Sequence, residues 1–192
     1  MPVGLSIVTP PAEEPVTLAQ VKAQTRVETT ADDALIAVYI SAARELCEEI
    51  SRRAFVTQTL RMTLDEWPCD RVLNLLRPPL VSVTSVQYID YTGATYAYAP
   101  SQYGVDTNGE PGRIMLRAHS IWPLVVLQPA AGIVVTYVAG YGAATAVPKK
   151  YQMAVLLLAA HLYERREAST DISLSEIPFG VTALLSGDKG WY

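Results

Sequence analysis

The sequence predicts an α+β fold, a helical core that carries a mostly antiparallel β insertion. Three observations predict it. Apolar residues recur at helical spacing after Asp33 and again after Pro148. Between Phe55 and Val147 they alternate with period two or gather in β-branched runs, and these runs are cut by turn residues. The expected divisions are 1–53 for an N-terminal arm and core helices, 54–147 for the β-rich insertion, and 148–192 for a core helix and a C-terminal tail.

Residues 1–16 contain Pro2, Pro10, Pro11 and Pro15 and no helical period, so they read as an extended arm. A short helix begins after Thr17, whose hydroxyl can cap the Gln20 amide while Gln20 reaches back and Val16 staples onto Val21; it ends near Gln24 or Thr25. The second helix takes Thr30 as its N-cap and places Asp32 and Asp33 in the first turn, where the helix dipole favours negative charge. Leu35, Tyr39, Ala42, Leu46 and Ile50 form its apolar stripe, with Ile36, Ile40, Ala43 and Cys47 alongside. Arg44, Glu45, Glu48 and Glu49 then fall on the opposite side, and Arg52 and Arg53 close the helix.

Seven strands are expected next, at Val56–Leu64, Val72–Leu75, Val81–Ile89, Thr95–Tyr98, Gln102–Asp106, Arg113–Leu116 and Ile133–Val138. Trp67-Pro68, Pro78-Pro79, Thr92-Gly93, Asn108-Gly109 and Pro111-Gly112 punctuate them. The pattern fits a barrel and a sandwich equally. Pro148 opens a third helix in which Tyr151, Val155, Leu158 and Leu162, flanked by Ala154, Leu157 and His161, are apolar nearly all round, as a central helix requires. From Ala168 the tail starts as a polar loop, carries Ile177-Pro178-Phe179-Gly180-Val181 and a short helix to Leu185, and finishes with Gly190-Trp191-Tyr192.

Composition narrows the function. Of 192 residues, 50% are apolar and only 18% charged, below the ~25% of ordinary soluble domains, so some surface is expected to be covered by something other than water. Fifteen Lys and Arg against nineteen Asp and Glu give a net charge of −4, without the clustered basic face that duplex binding demands. The longest apolar run, Met153 to Ala160, is far short of the ~20 residues that cross a bilayer, so a soluble intracellular product without membrane contact is expected. Cys47 and Cys69 read as two reduced thiols.

Chemistry-bearing residues are sparse. His161 and Glu164 lie a helical turn apart and could serve a small hydrolase as general acid and base, but no nucleophile context accompanies them, and a core histidine beside a surface glutamate explains them as well. His119 reads as a loop residue. The paired acids Asp32-Asp33 and Asp65-Glu66 lack a third ligand at metal spacing. Gly140-Tyr141-Gly142 lacks the rest of any phosphate-binding pattern and reads as a tight turn. No catalytic residue, cofactor or metal site is expected. The bulky apolar residues Ile177, Pro178, Phe179, Val181, Leu184, Leu185, Trp191 and Tyr192 are unusual for a chain end. The stretch from Ile177 to Leu185 fits folding back onto its own bundle as well as it fits a partner, whereas the terminal aromatics Trp191 and Tyr192 point to a partner.

The order of short phrases carries a resemblance. Pro15-Val16-Thr17-Leu18 precedes Asp32-Asp33-Ala34-Leu35-Ile36, then Thr57-Gln58-Thr59 and the run from Arg77-Pro78-Pro79-Leu80 to Val86. Tyr137-Val138-Ala139-Gly140-Tyr141-Gly142 comes before Val147-Pro148, followed by His161-Leu162-Tyr163-Glu164-Arg165-Arg166-Glu167 and Ile177-Pro178-Phe179-Gly180-Val181. From about residue 15 to 186 the chain resembles the head–tail connector (adaptor) family of long-tailed bacteriophages, prophages and gene-transfer particles. It departs from that pattern at Trp191-Tyr192 and in the stretch Tyr88–Tyr103.

The resemblance implies a helical core with a β insertion, assembled as a ring, usually twelve-fold in the family, beneath the portal, in the neck of a virion or phage-like particle. Such a ring extends the channel for double-stranded DNA, without specific binding, and docks the stopper or tail-completion protein. The family offers no catalytic residues to carry over. On this reading the tail residues Ile177 to Tyr192 are candidates for the portal contact. Glu45, Glu48 and Glu49 are candidates for a channel-facing surface that repels phosphates. A tail-completion or stopper protein of the same neck is the alternative; a monomeric ligand-binding β module is another.

Overall fold

Local chemistry starts each helix. In the computed structural model, which describes residues 3–165 and 179–187, helix α1 (Leu18–Thr25) is entered through the reciprocal cap expected at Thr17. The Thr17 hydroxyl accepts from Gln20 N–H at 3.2 Å, and Thr17 N–H donates to the Gln20 side chain at 2.7 Å. Helix α2 (Asp33–Ser51) begins two residues later than the Thr30 cap implied: Asp32 is its N-cap, and only Asp33 stands in the first turn, 2.7 Å from Lys22 Nζ. Its end is a left-handed Arg52 (φ 56°) that turns the chain back on the last helical carbonyls. Helix α3 (Lys149–Glu164) follows Pro148, and α4 spans Phe179–Ser186.

Two compact units result. The helical unit comprises the described residues of 12–56 and 141–191. Its core gathers Val16 and Val21, then Ile36, Ile40, Ala43 and Cys47 of α2, Phe55, and Tyr151, Ala154, Val155 and Leu158 of α3. Phe55 and Tyr151 stack with ring centroids 4.7 Å apart. The buried face of α2 is therefore centred on the Ile36-Ile40-Ala43-Cys47 side of the expected wide stripe, with Leu46 and Ile50 packed partly against the core and Leu35 and Ala42 left exposed.

The β unit comprises the described residues of 1–11 with 57–140. All seven expected strands are present, and an eighth precedes them. Residues Val3–Thr9, expected only as part of an extended arm, form strand β1. It pairs antiparallel with β2 (Gln58–Leu64), from Val3↔Leu64 to Thr9↔Thr59. The remaining strands are β3 (Val72–Asn74), β4 (Leu80–Ile89), β5 (Thr95–Ala97), β6 (Tyr103–Asp106), β7 (Arg113–Leu116) and β8 (Ile133–Ala139). They form two antiparallel sheets, β1-β2-β8-β4-β5 and β3-β7-β6.

Central strands β2 and β8 alternate as period two requires. Leu60, Met62 and Leu64 of β2, and Ile133, Val135 and Tyr137 of β8, point into the unit's core. Gly112 is forced by packing, since a Cβ there would overlap the Leu80 side chain.

Candidate functional site

The acidic candidates on α2 separate according to what they touch. Arg44 is buried, donating through Nε to Glu14 at 2.8 Å and through its terminal nitrogen to Glu48 at 3.2 Å. The other Glu48 oxygen accepts the Phe55 N–H at 2.7 Å, and Glu48 is 0% exposed. Glu48 is thus a core group, one turn after Arg44 on the buried face, and is removed from the channel-facing candidates: its charge is compensated inside the subunit. Glu45 and Glu49 are exposed on the outer side of the same helix.

The C-terminal candidates divide as well. Ile177, Pro178, Trp191 and Tyr192 lie outside the described residues, and of Phe179 only the backbone, at the start of α4, is described. Val181 and Leu185 are fully buried in the helical core, and Leu184 packs partly against it. Val181 and Leu185 therefore serve their own subunit, the fold-back alternative, which corrects their assignment to a surface offered to portal; Leu184 keeps part of its surface outside the core.

The pairs that suggested chemistry have structural work. Asp65 accepts the Ala131 N–H at 2.8 Å, Asp32 accepts the Tyr163 hydroxyl at 2.7 Å, and Asp33 holds Lys22. His161 is half-buried on α3 and Glu164 exposed at its end, and no hydrogen bond joins His161 to a Ser, Thr or Cys side chain among the described residues. Gly140 and Gly142 take φ 129° and 123°, the turn their spacing suggested. Burial pushes the Cys47 thiol up to about 12, so it is inert at neutral pH, while Cys69 is exposed. Among the described residues no three His, Cys, Asp or Glu side chains converge as a metal would require, and no helix is long and apolar enough to cross a membrane.

Exposed apolar surface is plentiful instead. The segment 121–126 projects Ile121, Leu124 (90% exposed) and Val126, next to exposed Tyr91, whose N–H donates to Val126 O at 3.0 Å. Its base is rigid. Trp122 stacks on Trp67 at 4.7 Å and donates to Asp70 O at 2.8 Å, and the Tyr98 hydroxyl donates to Ile121 O at 2.9 Å. A second exposed stretch is β1, and a third is Leu35 and Val38 on α2. Exposed apolar groups held on fixed backbone suit burial against other chains rather than chemistry on a small molecule. Sequence reading missed the 121–126 projection. The available signal was the absence of any Asp, Glu, Lys or Arg between Arg117 and Lys149.

Comparison with known proteins agrees with this account. The family described as phage gp6-like head-tail connector protein matches residues 15–76 and 126–189, well over half of the chain. The chain belongs to this family. As a head–tail connector it is a structural protein, not an enzyme. Among solved structures, the connector is similar to a chain in the neck of an empty gene transfer agent (GTA) particle computed with C6 symmetry. That likeness has a TM-score of 0.79 and 25% identity, over 95% of this chain and 93% of that one. A chain in the neck of a native GTA particle computed with C12 symmetry matches with TM-score 0.71 and 25% identity over the same shares, 95% and 93%. A chain of a native GTA virion shares the fold, with TM-score 0.78 and 24% identity over 98% and 96%. No curated protein matches the connector.

Proposed function

We propose that the connector is one subunit of a closed ring at the head–tail junction of a phage or phage-like particle. There it sits below the portal, lengthens the DNA channel and docks the next neck protein. The observation that carries this reading is the near full-length likeness to a chain in a neck computed with C12 symmetry. The low charge content supports it, because a ring subunit buries two flanks against identical neighbours, and charged flanks would be costly to desolvate.

Within this reading, Ile177, Pro178, Phe179, Leu184, Trp191 and Tyr192 are the portal-contact candidates, and Glu45 and Glu49 line the channel. DNA passes without specific binding, because no basic face holds it. The test is cryo-electron microscopy of the full chain mixed with its portal. A closed ring, expected to be twelve-fold, seated on the portal is the expected result; a chain that stays single, or that binds only tail components, overturns it.

A further inference from the structure

The large sheet of the β unit ends in two edges that match each other. Strand β1 is one edge: Val3, Ile7 and Val8 are 44%, 46% and 44% exposed, and among the described residues no strand lies on its outer side. It contains no charged residue and no proline between Val3 and Thr9, and its register with β2 is regular from Val3 to Ile7, shifting only between Ile7 and Thr9. Most of its length therefore lacks the devices that normally protect an edge.

The opposite edge is β4. Strand β5 pairs with it only at Gln87–Ile89, and Tyr98 N–H takes Val86 O. The first half of β4, from Leu80 to Ser85, has no strand on that side among the described residues. This half is also uncharged, with Val81 49% exposed. Its register against β8 shifts between Leu80 and Ser82 and again between Val83 and Ser85, so this half departs from a regular ladder.

Direction decides what each edge accepts. Successive strands β1, β2, β8 and β4 are antiparallel, so β1 and β4 run in opposite senses. Rotation about a ring axis along the strands preserves strand sense. Hence β1 of one copy meets the free half of β4 of the next in antiparallel register, and the same contact repeats around the ring, leaving only the short β5, among the described strands of this sheet, without an outer partner.

We propose that β1 of each subunit adds to the free half of β4 of its neighbour, so that the sheets of all copies join into one closed β wall. The proposal rests on the ring reading given above and names the contact that closes it. Each copy then advances the wall by four strand spacings, about 19 Å at ~4.8 Å each. Twelve upright copies close at a circumference of about 230 Å, and tilted strands widen it. One seven-residue edge is less than the ~800 Å² per partner of a stable pair, so the contact belongs to a closed ring and not to a lone dimer.

Disulfide trapping tests the contact. The full chain carrying Cys69→Ser, Ser6→Cys and either Ser82→Cys or Thr84→Cys is mixed with purified portal and oxidised, while electron microscopy scores ring formation. Cross-linked ladders from the double-cysteine chains, and no product above dimer when two single-cysteine chains are mixed, are expected. Ile7→Lys, at an exposed site, should keep the circular dichroism of the native chain and lower ring yield about tenfold or more. Rings that form without ladders and tolerate Ile7→Lys overturn the edge pairing while leaving the ring intact. Absence of any ring from the unmodified chain overturns the ring reading, and this proposal with it.

Discussion

Glu48 shows how a single side chain can be misjudged from spacing and still govern stability. It shares Arg44 with Glu14 and also accepts the Phe55 amide just past the end of α2, so it ties the helix to the segment that follows it. Glu48→Ala leaves the Phe55 N–H without an acceptor and Arg44 with less compensation. A loss of about 3 kcal/mol is expected, read as a lower urea midpoint. Glu48→Gln keeps one acceptor oxygen and should lose clearly less. Equal midpoints for the two variants would show that the amide contact contributes nothing. The sequence placed Glu48 among solvent-facing acids because a charged residue is rarely buried without partners: Arg44 stands one turn earlier, but the Phe55 amide that completes the site, and the Glu14 that shares Arg44, lie where no helical period points.

At the scale of elements, the β4–β5 hairpin carries a pH-dependent turn. The Thr92 hydroxyl, then the Ala94 and Thr92 amides and the Tyr96 hydroxyl, hold the Asp90 carboxyl below its ordinary value. A carboxyl lowered in the folded state contributes stability that is present above its unfolded value, 3.8, and is lost as pH falls through the folded one. Melting temperature should therefore drop between pH 5 and about pH 2, and Asp90→Asn should be lower at pH 7 with a flatter acid limb. An unchanged acid limb would locate the titration elsewhere.

The short helix α4 makes a sharper case. With Val181 and Leu185 in the core, Leu185→Ala should cost about 2–5 kcal/mol. Removing 177–192 should destabilise the helical unit, whereas removing 188–192 should spare it and report on portal binding alone. Equal stability of the two truncations would place α4 outside the core. Seven strands and four helices were legible because period and turn residues are local signals. Strand β1 was not, because Pro2, Pro10 and Pro11 bracket a run whose only support is pairing with distant β2.

For the molecule as a whole, charge is set against contact. Each chain carries −4, so twelve copies carry twelve times that, about −48, a field that would keep a phosphate backbone moving if part of it faces the channel. Glu45 and Glu49 are both exposed on α2 while its buried face is Ile36-Ile40-Ala43-Cys47. Glu49 can be changed without touching the core, and Glu45 gives up only a 3.4 Å contact with Arg44, which keeps Glu14 and Glu48. Replacing both by Lys shifts each subunit by four charges, multiplied by every copy in the ring. If these side chains line the channel, portal–connector assemblies of the double variant should retain duplex DNA at low salt and release it as salt rises, because phosphate neutralisation frees counterions. The unmodified assembly should retain none. Were the double variant to form rings of normal size that ignore DNA at every salt concentration, α2 would lie away from the channel. The exposed apolar pair Leu35 and Val38 would then be the stronger guide to what its outer face meets.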